Sequence, residues 1–176
     1  EDLTVLKRVV VLNVAPSGMA VLNATDPEVV KMAAHCSGRV TYFGQDANHP
    51  VITTHRALGQ RVVFVDNGDV VAAEGNTEVR IPLNSISLTY NGTVGFQIDN
   101  AMAAIGAAWA LDIPWPVVRE GLSGFVSDMQ AVPGRFNLFE YRGATLIADY
   151  GHNPDAIQAL SDAVQRMPAQ RRVAVI

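Results

Sequence analysis

The stretch 132–154, VPGRFNLFEYRGATLIADYGHNP, constrains the fold more than any other segment of the chain. It holds two strand-like runs, 136–141 and 144–148, separated by Arg142-Gly143. Pro133-Gly134-Arg135 enters the first run as a tight turn and delivers a guanidinium at its start. The second run ends at Asp149, after which Tyr150-Gly151-His152 lead to Asn153 and Pro154. Asn is a strong helix N-cap, and Pro at the first helical position loses no hydrogen bond through its missing N–H. An apolar strand ending in Asp, a turn with Gly and His, and a capped helix put polar groups where open α/β sheets bind ligands. The layout is that of a nucleotide site.

Upstream, 3–14 is apolar around Lys7 and Arg8, and Asp2 and Thr4 suit a helix start, although Val9 to Val11 also favour a strand. Ser17-Gly18 breaks it, and 19–22 is a short apolar run of buried-strand type. Asp26-Pro27-Glu28 opens a helix to about His35 by cap, proline and first-turn acid, and 39–43 reads as the next strand. Alternating helix and strand predict a doubly wound sheet. Residues 45–55 are polar and read as a loop. The runs 60–65 and 70–73 flank Asp66-Asn67-Gly68-Asp69, a strong hairpin signal, and 78–83 follows the turn at Gly75-Asn76. These three strands predict a small antiparallel meander covering part of the α/β domain. After Asn91-Gly92 comes an Ala-rich helix over 96–111, stopped by Pro114, then a short helix over 116–122. Residues 123–132 read as a linker, with a domain boundary near Pro133. A helix over 154–167 and a final strand over 172–176 complete the prediction, and a Rossmann-like domain would continue past that strand, so the chain reads as truncated.

Composition removes several classes of function. Hydrophobic residues make up 49% of 176, enough for a sizeable core. A net charge of −4 without a basic run argues against nucleic acid as a partner. The single Cys36 excludes an internal disulfide and fits a reducing compartment. No signal-peptide pattern opens the chain, and its longest apolar stretch, 101–111, is far short of the roughly 20 residues of a membrane span. The expectation is a cytoplasmic protein with no membrane partner. The sequons at Asn23 and Asn91 are then accidental.

Pro133-Gly134-Arg135 together with Asp149-Tyr150-Gly151-His152-Asn153-Pro154 resembles the junction between the central and C-terminal domains of Mur ligases. That superfamily of ATP-dependent, amide-forming ligases includes folylpolyglutamate and cyanophycin synthetases. Gly134-Arg135-Phe136-Asn137 and the Gly at 151 look most like the cyanophycin branch. Gly18 to Pro27 is similar to the family's central-domain strand and turn, usually Asn-Ala-Asp-Asp-Pro, with Thr25 in place of the first acid. The fold implied is α/β: a partial doubly wound P-loop-type ATPase domain with the small meander over 1–132, then the start of a Rossmann-like C-terminal domain over 133–176. The function implied is transfer of the ATP γ-phosphoryl to a carboxylate and attack on the acyl phosphate by an amine. In the cyanophycin branch, arginine joins an aspartate side chain of a polymer. ATP and Mg²⁺ are the implied cofactors, with an amino-acid or peptide substrate, and the resemblance admits a homo-oligomeric parent. No G-x-x-x-x-G-K-[ST] phosphate loop is present, so the isolated chain is expected to be inactive.

The resemblance assigns roles to five residues. Lys7 matches a lysine often carbamylated in the family, and a carbamate oxygen suits Mg²⁺; otherwise Lys7 is an ordinary helix lysine. Asn100, in Phe96-Gln97-Ile98-Asp99-Asn100-Ala101, would contact adenine, since an amide matches both the donor and the acceptor of its edge; the alternative is a helix cap. Arg135 would stabilise charge on the transferring phosphoryl group, Asp149 would accept from a ribose hydroxyl, and His152 would donate to phosphate. The plainer alternative is a surface Arg135–Asp149 pair, worth under about 1 kcal/mol, beside a helix-flanking histidine. His35-Cys36, His49 and His55 carry no catalytic or metal pattern, and Trp109 and Trp115 read as core. Another superfamily ligase, for a peptidoglycan precursor or a folate, and a non-catalytic interaction fragment are the competing readings.

Overall fold

The computed structural model describes residues 2–175. Helix α1 (Asp2–Leu12) leads to β1 (Met19–Asn23), α2 (Pro27–Met32) with a 3-10 turn (Ala33–His35), and β2 (Arg39–Asp46). Then come α3 (Pro50–Ala57), β3 (Arg61–Asp66), β4 (Asp69–Glu74) and β5 (Thr77–Pro82). Two helices, α4 (Gly95–Ala110) and α5 (Trp115–Gly124), precede a hairpin of β6 (Asn137–Tyr141) and β7 (Ala144–Ala148), and α6 (Pro154–Arg166) follows. The α/β class agrees with the sequence reading.

One sheet runs β1-β2-β3-β4-β5. The pairs β1–β2 and β2–β3 are parallel, while β3–β4 and β4–β5 are antiparallel. The meander is therefore no separate cover, in contrast to the sequence expectation: β3 continues the parallel sheet. The crossover to β3 is made by α3, in the segment expected to be a loop. His49 caps α3 by accepting from the Val51 N–H at Nδ1, 3.3 Å away, and Pro50 starts it. Histidine is not a usual cap, and Ile52 is the helix's buried residue, so the periodic signal is thin. Tertiary contacts hold it, His55 Nε2 lying 2.8 Å from the Val40 carbonyl and its ring edge-on to Tyr42.

Both faces of the sheet are buried, which explains the near-continuous apolar runs in β3 and β4. Val62 and Phe64 point to α1, α2 and α3 with Val11, Leu22, Met32 and Ile52. Val63 alternates to the other face and packs with Ile98, Ala101, Met102 and Ile105 of α4. A Cβ on Gly106 would stand 2.8 Å from Val21 Cγ1, so the glycine sets how closely α4 lies on β1. The Asn67-Gly68 turn has both residues at positive φ (50° and 82°), as the tight hairpin requires.

The C-terminal region builds a smaller core. Phe136, Val94 and Ala163 are buried together, with Tyr90, Phe96, Leu138, Ile147 and Leu160 around them. Phe136 is not the first strand residue expected: its φ is +52° and its ring is fully buried, edge-on to Tyr90 and Phe96 at 5.7 and 5.4 Å. The expected last strand is absent over 172–175, and Ile176 lies outside the described residues. An apolar run becomes a strand only beside another strand, and Val173 and Val175 are exposed. Arg172 instead donates to the Val164, Gln165 and Met167 carbonyls at the end of α6, where a cation is favoured.

Candidate functional site

A cleft of about 540 Å³ opens between the start of α4, the segment after α5, and the β7–α6 turn. Leu88, Phe96, Phe125, Val132 and Leu160 give it apolar walls, while Gln97, Asn100, Ser127, Arg135 and Asp149 give it polar edges. The segment expected to be a linker is knotted here rather than slack. Asn137 is fully buried, its amide nitrogen donating to the Ser127 and Val132 carbonyls and its oxygen accepting from the Gly134 N–H. Asp128 accepts from the Gln130 and Ala131 N–H groups, and Ser127 Oγ donates to the Arg135 carbonyl. The backbone of Arg135 is thereby held on the cleft wall.

Three of the five residues singled out by sequence meet in this cleft. Asn100 lies more than one turn inside α4, whose N-cap position is Val94, so the cap alternative is excluded. Its Nδ2 donates to Gln97 Oε1 at 2.9 Å. Arg135 is exposed and makes no ion pair among the described residues; its guanidinium stands 6.0 Å from the Tyr150 ring centroid. The surface pair with Asp149 is thus not formed. Both Asp149 oxygens are engaged by backbone, Oδ2 accepting from the Phe136 N–H (2.9 Å) and Oδ1 from the Gly151 N–H (2.7 Å). Each oxygen keeps a second lone pair for a hydroxyl donor.

His152 sits in an adjoining depression with Asn153, Pro154, Ile157 and Ser161. Its Nδ1 is 3.2 Å from the Tyr150 carbonyl, an acceptor only, so Nδ1 carries the proton and Nε2 is free. Asn153 caps α6 by accepting from the Ala156 N–H at 2.8 Å, as read from sequence. Lys7 is exposed on α1 and does not line the cleft. Its ammonium offers no oxygen to a cation, and no three His, Cys, Asp or Glu among the described residues are grouped to hold a metal. Unmodified, these residues do not make a magnesium site.

Sequence reasoning passed over Gln97, Asp99 and Gln45. Gln45, at the end of β2, donates to Asp99 Oδ1 (3.0 Å) and to the Gly95 carbonyl (3.1 Å). Burial raises the Asp99 carboxyl above its ordinary range, partly offset by the Gln45 bond. Gln97 and Asp99 stand in the same hexapeptide as Asn100, but nothing in sequence says that position 45 reaches it.

Residues 134–176 match the family described as Mur ligase, glutamate ligase domain. The chain belongs to the Mur ligase superfamily. Within it, similarity runs to cyanophycin synthetases: 35% identity over 172 residues to that of Synechocystis sp., covering 97% of this chain and 20% of the relative. The cyanophycin synthetase of Nostoc sp. is 32% identical over 177 residues, covering 100% and 20%. A UDP-N-acetylmuramoyl-L-alanyl-D-glutamate--2,6-diaminopimelate ligase of Listeria monocytogenes is 29% identical over 160 residues, covering 90% and 29%. The chain spans about a fifth of the cyanophycin synthetases it matches.

Proposed function

We propose that this chain is the adenine- and ribose-facing segment of a cytoplasmic ATP-dependent carboxylate–amine ligase, joining arginine to an aspartate side chain of a growing polymer. The observation that carries the reading is the single cleft shared by Asn100, Arg135 and Asp149. A purine fits its apolar walls, with the Asn100 amide at the base edge and an Asp149 oxygen toward a ribose hydroxyl. Arg135, a permanent cation with a planar fork, lies free to meet phosphate oxygens. As the γ-phosphoryl passes to the carboxylate, negative charge spreads over its oxygens, and Arg135 stabilises that charge. His152 Nε2, once protonated, adds a donor at the neighbouring depression. The amine then attacks the acyl phosphate, and phosphate leaves.

The cyanophycin synthetases align over nearly the whole chain at higher identity than the diaminopimelate ligase, which favours the arginine-adding reading over a peptidoglycan one. Lys7 enters as a carbamate, the form that would offer Mg²⁺ an anionic oxygen. Labelled bicarbonate giving a carbamate carbon signal that Lys7→Ala abolishes is the expected result; no such signal would rule out the carbamate. The chain alone, having no phosphate loop, binds nucleotide without turning it over.

ATP titrated into the chain tests the core of the proposal. Amide resonances of α4, 125–135 and the start of α6 should shift, and Asn100→Ala should weaken binding by about five- to a hundredfold. Shifts confined to other elements, or equal affinity in Asn100→Ala, would overturn it. In a complete ligase carrying this segment, Arg135→Lys keeps the charge but loses the fork, so turnover should fall more than ATP affinity.

A further inference from the structure

Resting on the reading of Arg135 as a phosphate contact, we infer that Ser127 is a positioning residue for that guanidinium. Its hydroxyl and the Asp149 carboxylate grip the peptide between Arg135 and Phe136 from opposite ends, and so fix the root from which Arg135 reaches into the cleft.

One peptide unit carries both bonds. Its carbonyl, that of Arg135, accepts from Ser127 Oγ at 2.8 Å, and its N–H, that of Phe136, donates to Asp149 Oδ2 at 2.9 Å. The direction of each bond is set by chemistry alone, because a carbonyl and a carboxylate only accept and an amide N–H only donates. Ser127 is held in turn. Its carbonyl accepts from Asn137 Nδ2 at 3.2 Å, and the Asn137 amide is not free to turn over, since its Oδ1 accepts from the Gly134 N–H at 2.7 Å. Gly134 is pinned on its other side, its carbonyl accepting from the Tyr150 N–H at 2.8 Å.

The grip matters because the peptide stands in a costly orientation. Phe136 has φ +52°, a region that bulky side chains rarely occupy. A half-turn of the 135–136 peptide would relieve that φ. It would also turn the Arg135 carbonyl toward the Asp149 carboxylate, acceptor against acceptor, and break the bond from Ser127. Asp149 opposes the half-turn, and Ser127 holds the far end. The rotamers open to a side chain depend on the backbone dihedrals of its own residue, so fixing ψ of Arg135 restricts where its guanidinium can go. Ser127, Arg135 and Asp149 all line the cleft, and beyond its root Arg135 is exposed. A fixed root with a free tip suits a contact to phosphate oxygens, because the backbone is already ordered before the ligand arrives.

The test measures ATP and adenosine on the full chain and on Ser127→Ala, Ser127→Thr and Arg135→Ala. Adenosine shares the base and the ribose with ATP but has no phosphate for Arg135. Ser127→Ala should lower the ratio of ATP to adenosine affinity by about two- to tenfold, the scale of one hydrogen bond, and Ser127→Thr, which keeps the hydroxyl, should restore it. A merely structural role would weaken both ligands alike. A ratio that Arg135→Ala lowers and Ser127→Ala leaves unchanged overturns the inference. The ligand-free chain gives a second readout, independent of any nucleotide. The Phe136 amide should exchange faster in Ser127→Ala while the amides of β6 and β7 keep their protection, and unaltered Phe136 exchange overturns the inference as well. Faster Phe136 exchange with a ratio that neither Ser127→Ala nor Arg135→Ala changes would uphold the grip and overturn the reading of Arg135.

Discussion

The sheet body and the C-terminal hairpin–helix differ in how their residues are buried, and the difference separates stability from site. In the body, β3 and β4 are covered on both faces by two extensive clusters. In the C-terminal region a single small cluster, centred on Phe136, does the same for a hairpin and a helix. Yet Arg135, Asp149 and His152 all belong to the second region, and only Asn100 of the cleft's three shared residues stands on the body. The cleft is thus made where a thinly packed element leans on a thickly packed one. Phe136 and Asp149 join the two: the ring is buried against α4 and the 89–96 turn, and the carboxylate accepts from the Phe136 N–H.

Substitution of the ring should break the contrast most. Phe136→Ala removes the largest fully buried side chain, at a cost of about 3–5 kcal/mol. Hydrogen exchange should accelerate in β6, β7 and α6 while β3 and β4 keep their protection; uniform loss would mean that the two regions unfold as one. Asn137→Ala leaves the Ser127 and Val132 carbonyls and the Gly134 N–H without their partner, a loss of about 1–3 kcal/mol for each group that fails to find water. ATP affinity should fall with it, because Arg135 is mounted on that knot. Intact affinity in a destabilised variant would detach Arg135's placement from Asn137.

The body offers the converse test. Gly106→Ala sets a methyl 2.8 Å from Val21 Cγ1 and should cost about 1–3 kcal/mol of overpacking, read by urea denaturation, with ATP affinity nearly unchanged. A nucleotide defect as large as the stability defect would show that the seating of α4 on β1 governs Asn100.

The smallest effect is a pH dependence. Because burial raises the Asp99 carboxyl, its contribution to stability is fully present below the unfolded-state value and is lost as pH rises through the folded one. Asp99→Asn removes the charge and keeps an acceptor for Gln45. Melting temperatures between about pH 3 and about pH 7 should therefore show the variant gaining on the native chain as pH rises. A constant difference would mean that Asp99 titrates alike in the folded and the unfolded chain.

Local chemistry is legible in the sequence. The Asp26-Pro27 and Asn153-Pro154 caps, the Asn67-Gly68 hairpin and the Ala-rich α4 follow from propensities that act over a few residues. The family pattern likewise located Asn100, Arg135 and Asp149, which the fold brings to one cleft. Tertiary structure alone decided the rest. It made α3 a helix despite a weak cap, withheld a strand from 172–175 where no neighbour stands, and turned Phe136 to positive φ for the sake of its buried ring. It also tied Gln45 to Asp99 across 54 positions. Caps and turns are satisfied within a few residues, so the sequence by itself determines them. Pairing partners and burial depend on atoms distant in the chain, and those meet only when it folds.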